Sequence, residues 1–91
     1  MNIPKNARKK HLEVTRQILA GYSTGAVARK FNIPTDKCFA MFKAVVVEAL
    51  RGSNKSSWKL ESATSASQIL KEAKDFTPDI NELETFWGEH A

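Results

Sequence analysis

YSTGAVARKFNIPTDKCFAMFK, running from Tyr22 to Lys43, is the stretch on which the fold of this chain turns. Apolar residues recur at helical spacing on both sides of a single break. Before the break, Val27, Ala28 and Phe31 form one short stripe, and Ser23 stands where a hydroxyl can accept from the free amides of a first turn. This predicts a helix over about Thr24 to Phe31. Asn32 follows, one of the few non-glycine types that tolerates a positive φ. Pro34 disfavours helical geometry at Ile33, so the break is sharp and the next cap falls at Thr35. A further helix is expected from Thr35 or Asp36 to Arg51, closed by Gly52. At about 100° per residue its faces separate. Cys38, Phe39, Met41, Phe42, Val45, Val46, Ala49 and Leu50 make the core side. Asp36, Lys37, Ala40, Lys43, Ala44, Val47, Glu48 and Arg51 make the outward side, with Val47 its one misfit.

Upstream, Pro4 suits a first helical turn because its missing donor would be unpaired there anyway. A helix from about Lys5 to Ala20 follows, with Leu12, Val14, Thr15, Ile18 and Leu19 inward and Gly21 as its terminator. Downstream, Gly52 to Glu61 is rich in Ser, Asn and Lys and reads as a connector carrying one aromatic, Trp58. Ser65 and Gln68 then spell a capping box. It opens a helix from about Ala66 to Asp75, with Ile69, Leu70 and Ala73 on one stripe. Thr77-Pro78-Asp79 reads as cap, first-turn proline and dipole-matching acid for a short last helix. The expected fold is all-α: a three-helix core over residues 1–52, a Ser-rich connector over 53–64, and an acidic helical tail over 65–91.

Length and composition narrow the function. Ninety-one residues make one compact domain, and 42% apolar with 26% charged residues is ordinary for a globular chain. No apolar run approaches the roughly 20 residues of a membrane span, and none follows the basic amino terminus as a secretion signal would. The single cysteine cannot form an internal disulfide, so a reducing cytoplasm is the expected compartment. Two histidines, His11 and His90, suggest neither a metal site nor a triad. No catalytic residue, metal or cofactor is expected. Cys38 reads as a small buried hydrophobe.

Charge is divided unevenly. Met1 to Arg51 carries ten basic side chains against three acids, a balance of +7, while Gly52 to Ala91 carries four against seven, a balance of −3. A basic half with so few acids is either a solvated surface or the footprint of a polyanion binder.

The segment from Tyr22 to Lys43 resembles the helix-turn-helix of bacterial and phage DNA-binding proteins. The matching residues are Val27 and Ala28 in the second helix, Phe31 and Ile33 around the turn, and Cys38 and Met41 in the third helix. Small Ala28 lets the two helices cross closely. With the leading helix the resemblance extends to a homeodomain-like tri-helical module over about 50 residues. Asn32 stands where that turn usually has glycine, and Pro34 where a small capping residue is common. The resemblance implies that the third helix enters the major groove. Thr35, Asp36, Lys37, Ala40 and Lys43 would reach base edges, with Ala40 and Ala44 small enough to let the helix backbone approach. Thr24, Arg29 and Lys30, together with the leading Lys5, Arg8, Lys9 and Lys10, would meet phosphates. Four to six such contacts predict a salt slope of roughly −4 to −5. Each of these residues also has a plainer reading, as a solvated charge or a good helix former.

The implied function is a small DNA-binding protein, a transcriptional regulator. The alternatives are a protein-interaction module that binds RNA polymerase or another regulator, and a phage packaging or recombination accessory. The long third helix is also similar to the promoter-recognition region of sigma factors. The expected partner is double-stranded DNA. Ile80, Leu83, Phe86 and Trp87 share one face of the last helix and either fold back on the chain or dock a second copy or another protein.

Overall fold

The computed structural model describes residues 7–52 and 58–72. They form five helices: α1 (Arg8–Leu19), α2 (Thr24–Phe31), α3 (Thr35–Gly52), α4 (Trp58–Glu61) and α5 (Ala66–Glu72). Among the described residues there is no strand. α1, α2 and α3 pack on one another as a three-helix core, and α4 and α5 pack on α3 and on each other.

The two turns of the core are built alike. At the end of α1, Gly21 takes φ 109°. The Tyr22 N–H donates to the Gln17 carbonyl at 3.2 Å and the Gly21 N–H to Ile18 at 3.1 Å. At the end of α2, Asn32 takes φ 55°. The Ile33 N–H donates to Ala28 at 3.0 Å and the Asn32 N–H to Arg29 at 3.2 Å. Both are Schellman motifs, which turn the chain within two residues and satisfy carbonyls the helix would leave open. Between the turns, the Ser23 hydroxyl accepts from the Ala26 N–H and caps α2.

α3 starts at Thr35, within the expected bounds, but its cap falls one residue earlier than expected. Cys38 N–H donates to the Pro34 carbonyl at 3.0 Å, so Pro34 is the cap residue and Thr35 the first helical one. Proline lacks only a donor. Its carbonyl still accepts the first helical bond, so it serves at this position.

The core is centred on α3. Phe42 is fully enclosed, as are Val14, Val27, Cys38, Val45 and Val46. Each such large side chain contributes about 1.5–3 kcal/mol relative to its exposed state. Ala28 is buried where α2 crosses α3. Thr15 is the one buried polar residue of the described core, and its hydroxyl donates back to the His11 carbonyl at 2.8 Å.

Two expectations need correcting. The first concerns α3. Ala44 and Val47, assigned to the outward side, are 4% and 1% exposed. Ala44 to Val47 are buried in succession, so this turn of α3 is enclosed all round. α1 covers one side, where Leu12 meets Ala44 and Val45. Leu60, Ala63 and Ile69 join Val46, Val47 and Leu50 on another. The second concerns the connector. Residues 53–64 contain α4, and Leu60 and Ala63 belong to the core. Polar composition hid two apolar anchors that need no long helix to be buried.

α5 begins as its sequence predicts. The Ser65 hydroxyl accepts from the Gln68 N–H at 3.2 Å. The Gln68 side chain reaches one residue further back than in the standard box, where its Oε1 accepts from the Thr64 N–H at 3.1 Å. Leu70, placed on the inward stripe with Ile69, is instead 43% exposed. On a helix this short, the one-residue offset between the two turns Leu70 away from α3. Ala73 and the predicted last helix lie outside the described residues.

Candidate nucleic-acid interface

Asp36, Ala40, Lys43 and Val47 fall within about 60° of one another around α3 and so form a single stripe. Burial along it rises steadily. Asp36 and Ala40 are exposed, Lys43 is half-buried, and Val47 is inside the core. Thr35 and Lys37, flanking the start of the stripe, are exposed as well. The open part of α3 is therefore its first two turns. Pro34 has no side chain that can cap them, and Asp36 is the acid in the first turn, where it complements the helix dipole.

Lys43 plays a different part from the one assigned to it. Its Nζ donates to the Ala63 carbonyl at 3.1 Å and lies 5.9 Å from the centre of the Phe39 ring. That carbonyl follows the short α4, and the ammonium satisfies it. The lysine stem covers apolar surface while the charge ties α3 to the C-terminal helices. Lys43 is thus withdrawn from the base-contacting set, and Ala44 no longer lines an outward face. A lysine on an exposed-looking stripe gives no sign that its partner lies 20 residues away.

The other candidates are placed as follows. Arg29 and Lys30 are exposed in the last turn of α2, one turn of chain before α3 begins. Their charges also match the dipole at that end. Thr24 is half-buried in the first turn of α2. Lys9 and Lys10 are exposed on α1, and Arg8 is half-buried. Lys5 lies outside the described residues, as do Ile80, Leu83, Phe86 and Trp87.

One exposed residue had no role in the sequence reading. Tyr22, 58% exposed, sits in the turn just before the cap of α2. The signal was its place, a hydroxyl-bearing aromatic following a terminating glycine.

Cys38 faces inward and is fully enclosed, and burial pushes its thiol above the ordinary range. Among the described residues no group of His, Cys, Asp and Glu is arranged to hold a metal ion, and no helix is long and apolar enough to cross a membrane. No family model, curated protein or solved structure matches this chain.

Proposed function

We propose that this chain binds duplex DNA as a small transcriptional regulator, laying the first two turns of α3 in the major groove. The observation that carries the reading is the exposed set Thr35, Asp36, Lys37 and Ala40 on a helix whose turn from Ala44 to Val47 is locked into the core. A helix held at one end by α1, α4 and α5 presents its free end rigidly, and rigid presentation is what groove recognition needs. The exposed cations nearest to that end along the chain are Lys37, Lys30 and Arg29, in a half of the chain with a balance of +7. Tyr22 and Thr24 supply hydroxyls beside the start of α2, of the kind that meet phosphate oxygens.

The span from Thr35 to Ala40 covers only about 8 Å of helix axis. That is two to three base pairs at about 3.4 Å each, so one copy reads little sequence. Two copies on adjacent half-sites would supply the remainder.

Fluorescence anisotropy on random duplex across a salt series tests the reading. About four phosphate contacts predict a slope of log affinity on log salt near −3 to −4. Lys37→Glu should weaken binding at every salt concentration without changing the thermal melt. Unmeasurable affinity at low salt, or a Lys37→Glu variant that binds as the parent does, would refute it. Leu70 favours a second reading, a protein-interaction module whose contact lies on α5. In that case Leu70→Ser abolishes partner binding and leaves duplex affinity at zero in both proteins.

A further inference from the structure

Resting on the DNA-binding reading above, we propose that Asp36 sets the base preference of this chain, selecting cytosine in the major groove, with Lys37 on the paired guanine. An ionised carboxylate only accepts hydrogen bonds. In the major groove, guanine presents N7 and O6 and thymine presents O4, all acceptors that repel a carboxylate. Adenine offers its N6 amino group beside the acceptor N7. Cytosine alone offers a donor, its N4 amino group, with no acceptor of its own on that edge.

Lys37 is the complement. Its ammonium only donates, and guanine N7 and O6 only accept. In a C·G pair the cytosine amino group and guanine O6 lie side by side. Asp36 and Lys37 are consecutive residues, about 100° apart around α3 and about 1.5 Å apart along it. Both are exposed. Asp36 is short and meets the cytosine directly, the longer Lys37 stem bends round to the guanine of the same pair, and the acid and base of the first turn act as a matched donor–acceptor reader.

Ala40 extends the pattern. It lies on the Asp36 stripe about 6 Å further along the axis, close to two base-pair steps. Its exposed methyl suits a thymine methyl there. Beyond Ala40 the stripe closes, because Lys43 is bonded to Ala63 and Val47 is buried. The preferred half-site is thus a C·G pair with a T·A pair about two steps away, and nothing further along is read by α3.

Selection of the full chain on a duplex library with a randomised core tests this, followed by affinities for single-base variants. Cytosine at one position should be favoured about ten- to hundredfold over the other bases. Asp36→Asn keeps the shape but turns the acceptor into an amide that pairs with adenine N6 and N7, so the preference should pass from cytosine to adenine. Ala40→Gly should remove the thymine preference and leave the cytosine one. Thermal melts monitor folding: Asp36 is exposed, so Asp36→Asn should melt close to the parent, while Ala40→Gly should lose about 1 kcal/mol of helix propensity and stay folded. If the parent binds duplex but favours no base more than about twofold, the inference fails while the DNA-binding reading stands. An Asp36→Asn variant that still selects cytosine has the same meaning, and the acid then serves the helix dipole alone. Absence of any duplex binding refutes the parent reading and this one with it.

Discussion

Ala40 and Val47 occupy one stripe of α3, and the same substitution at each should have opposite consequences. Glutamate is the instructive replacement. Val47 is 1% exposed and shares one core cluster with Val46 and Leu50 of its own helix and with Leu60, Ala63 and Ile69 of the C-terminal segment. Replacing it forfeits about 1.5–3 kcal/mol of apolar burial. The carboxylate must then be desolvated without a partner, or protonated to avoid it, which costs about 3–5 kcal/mol more. The sum is comparable with the whole stability of a domain of this size, about 5–10 kcal/mol. Val47→Glu should therefore unfold the chain or leave it melting far below the parent. Ala40→Glu changes an exposed helical position, where glutamate is nearly as good a helix former as alanine. Its stability should stay within about 0.5 kcal/mol of the parent. Ala40→Glu should nevertheless abolish duplex binding, since it places a second carboxylate on the groove-facing stripe. Urea unfolding followed by circular dichroism measures the first pair of effects. A Val47→Glu protein within about 1 kcal/mol of the parent would mean that the second half of α3 faces solvent, and the placement of α4 and α5 would be wrong.

Four other outcomes are expected. Lys43→Met keeps most of the stem but leaves the Ala63 carbonyl without its donor, so urea unfolding should register a loss of about 1–3 kcal/mol. Asn32→Gly should be neutral or slightly stabilising, whereas Asn32→Val, a branched residue at φ 55°, should cost about 1–3 kcal/mol in the same assay. Ser65→Ala removes the cap of α5 and should cost about 1 kcal/mol, with helix loss confined to the C-terminal unit in amide exchange. Burial raises the Cys38 thiol, so above about pH 8.5 the unfolded chain gives up a proton that the folded chain keeps. Stability should then fall as pH rises, and Cys38→Ala should remove that slope. Rapid alkylation of Cys38 in the folded protein would contradict its enclosure.

Local chemistry was legible from residue types alone. Asn32 at positive φ, Ser23 and Ser65 as caps, Gly21 as terminator and Ala28 at the α2–α3 crossing all follow from neighbours within about five residues. The all-helical class followed from apolar spacing. Asp36, Lys37 and Ala40 were also placed on an open face, and so they are. Lys43 and Ala44 were misplaced for one shared reason. A helical wheel divides a helix into two faces, but α3 is packed on one side at its start and on all sides from Ala44 to Val47.

Periodicity, caps and turn residues specified the helices and the two tight corners, because hydrogen bonds and sterics within a single turn of chain dictate them. How far α3 remains open to solvent depended instead on residues distant along the chain. Leu60, Ala63 and Ile69 come to rest against its second half, and the Ala63 carbonyl captures a lysine 20 positions earlier. Burial is a property of surfaces brought together in space, and no pattern along one helix encodes which neighbour will cover it.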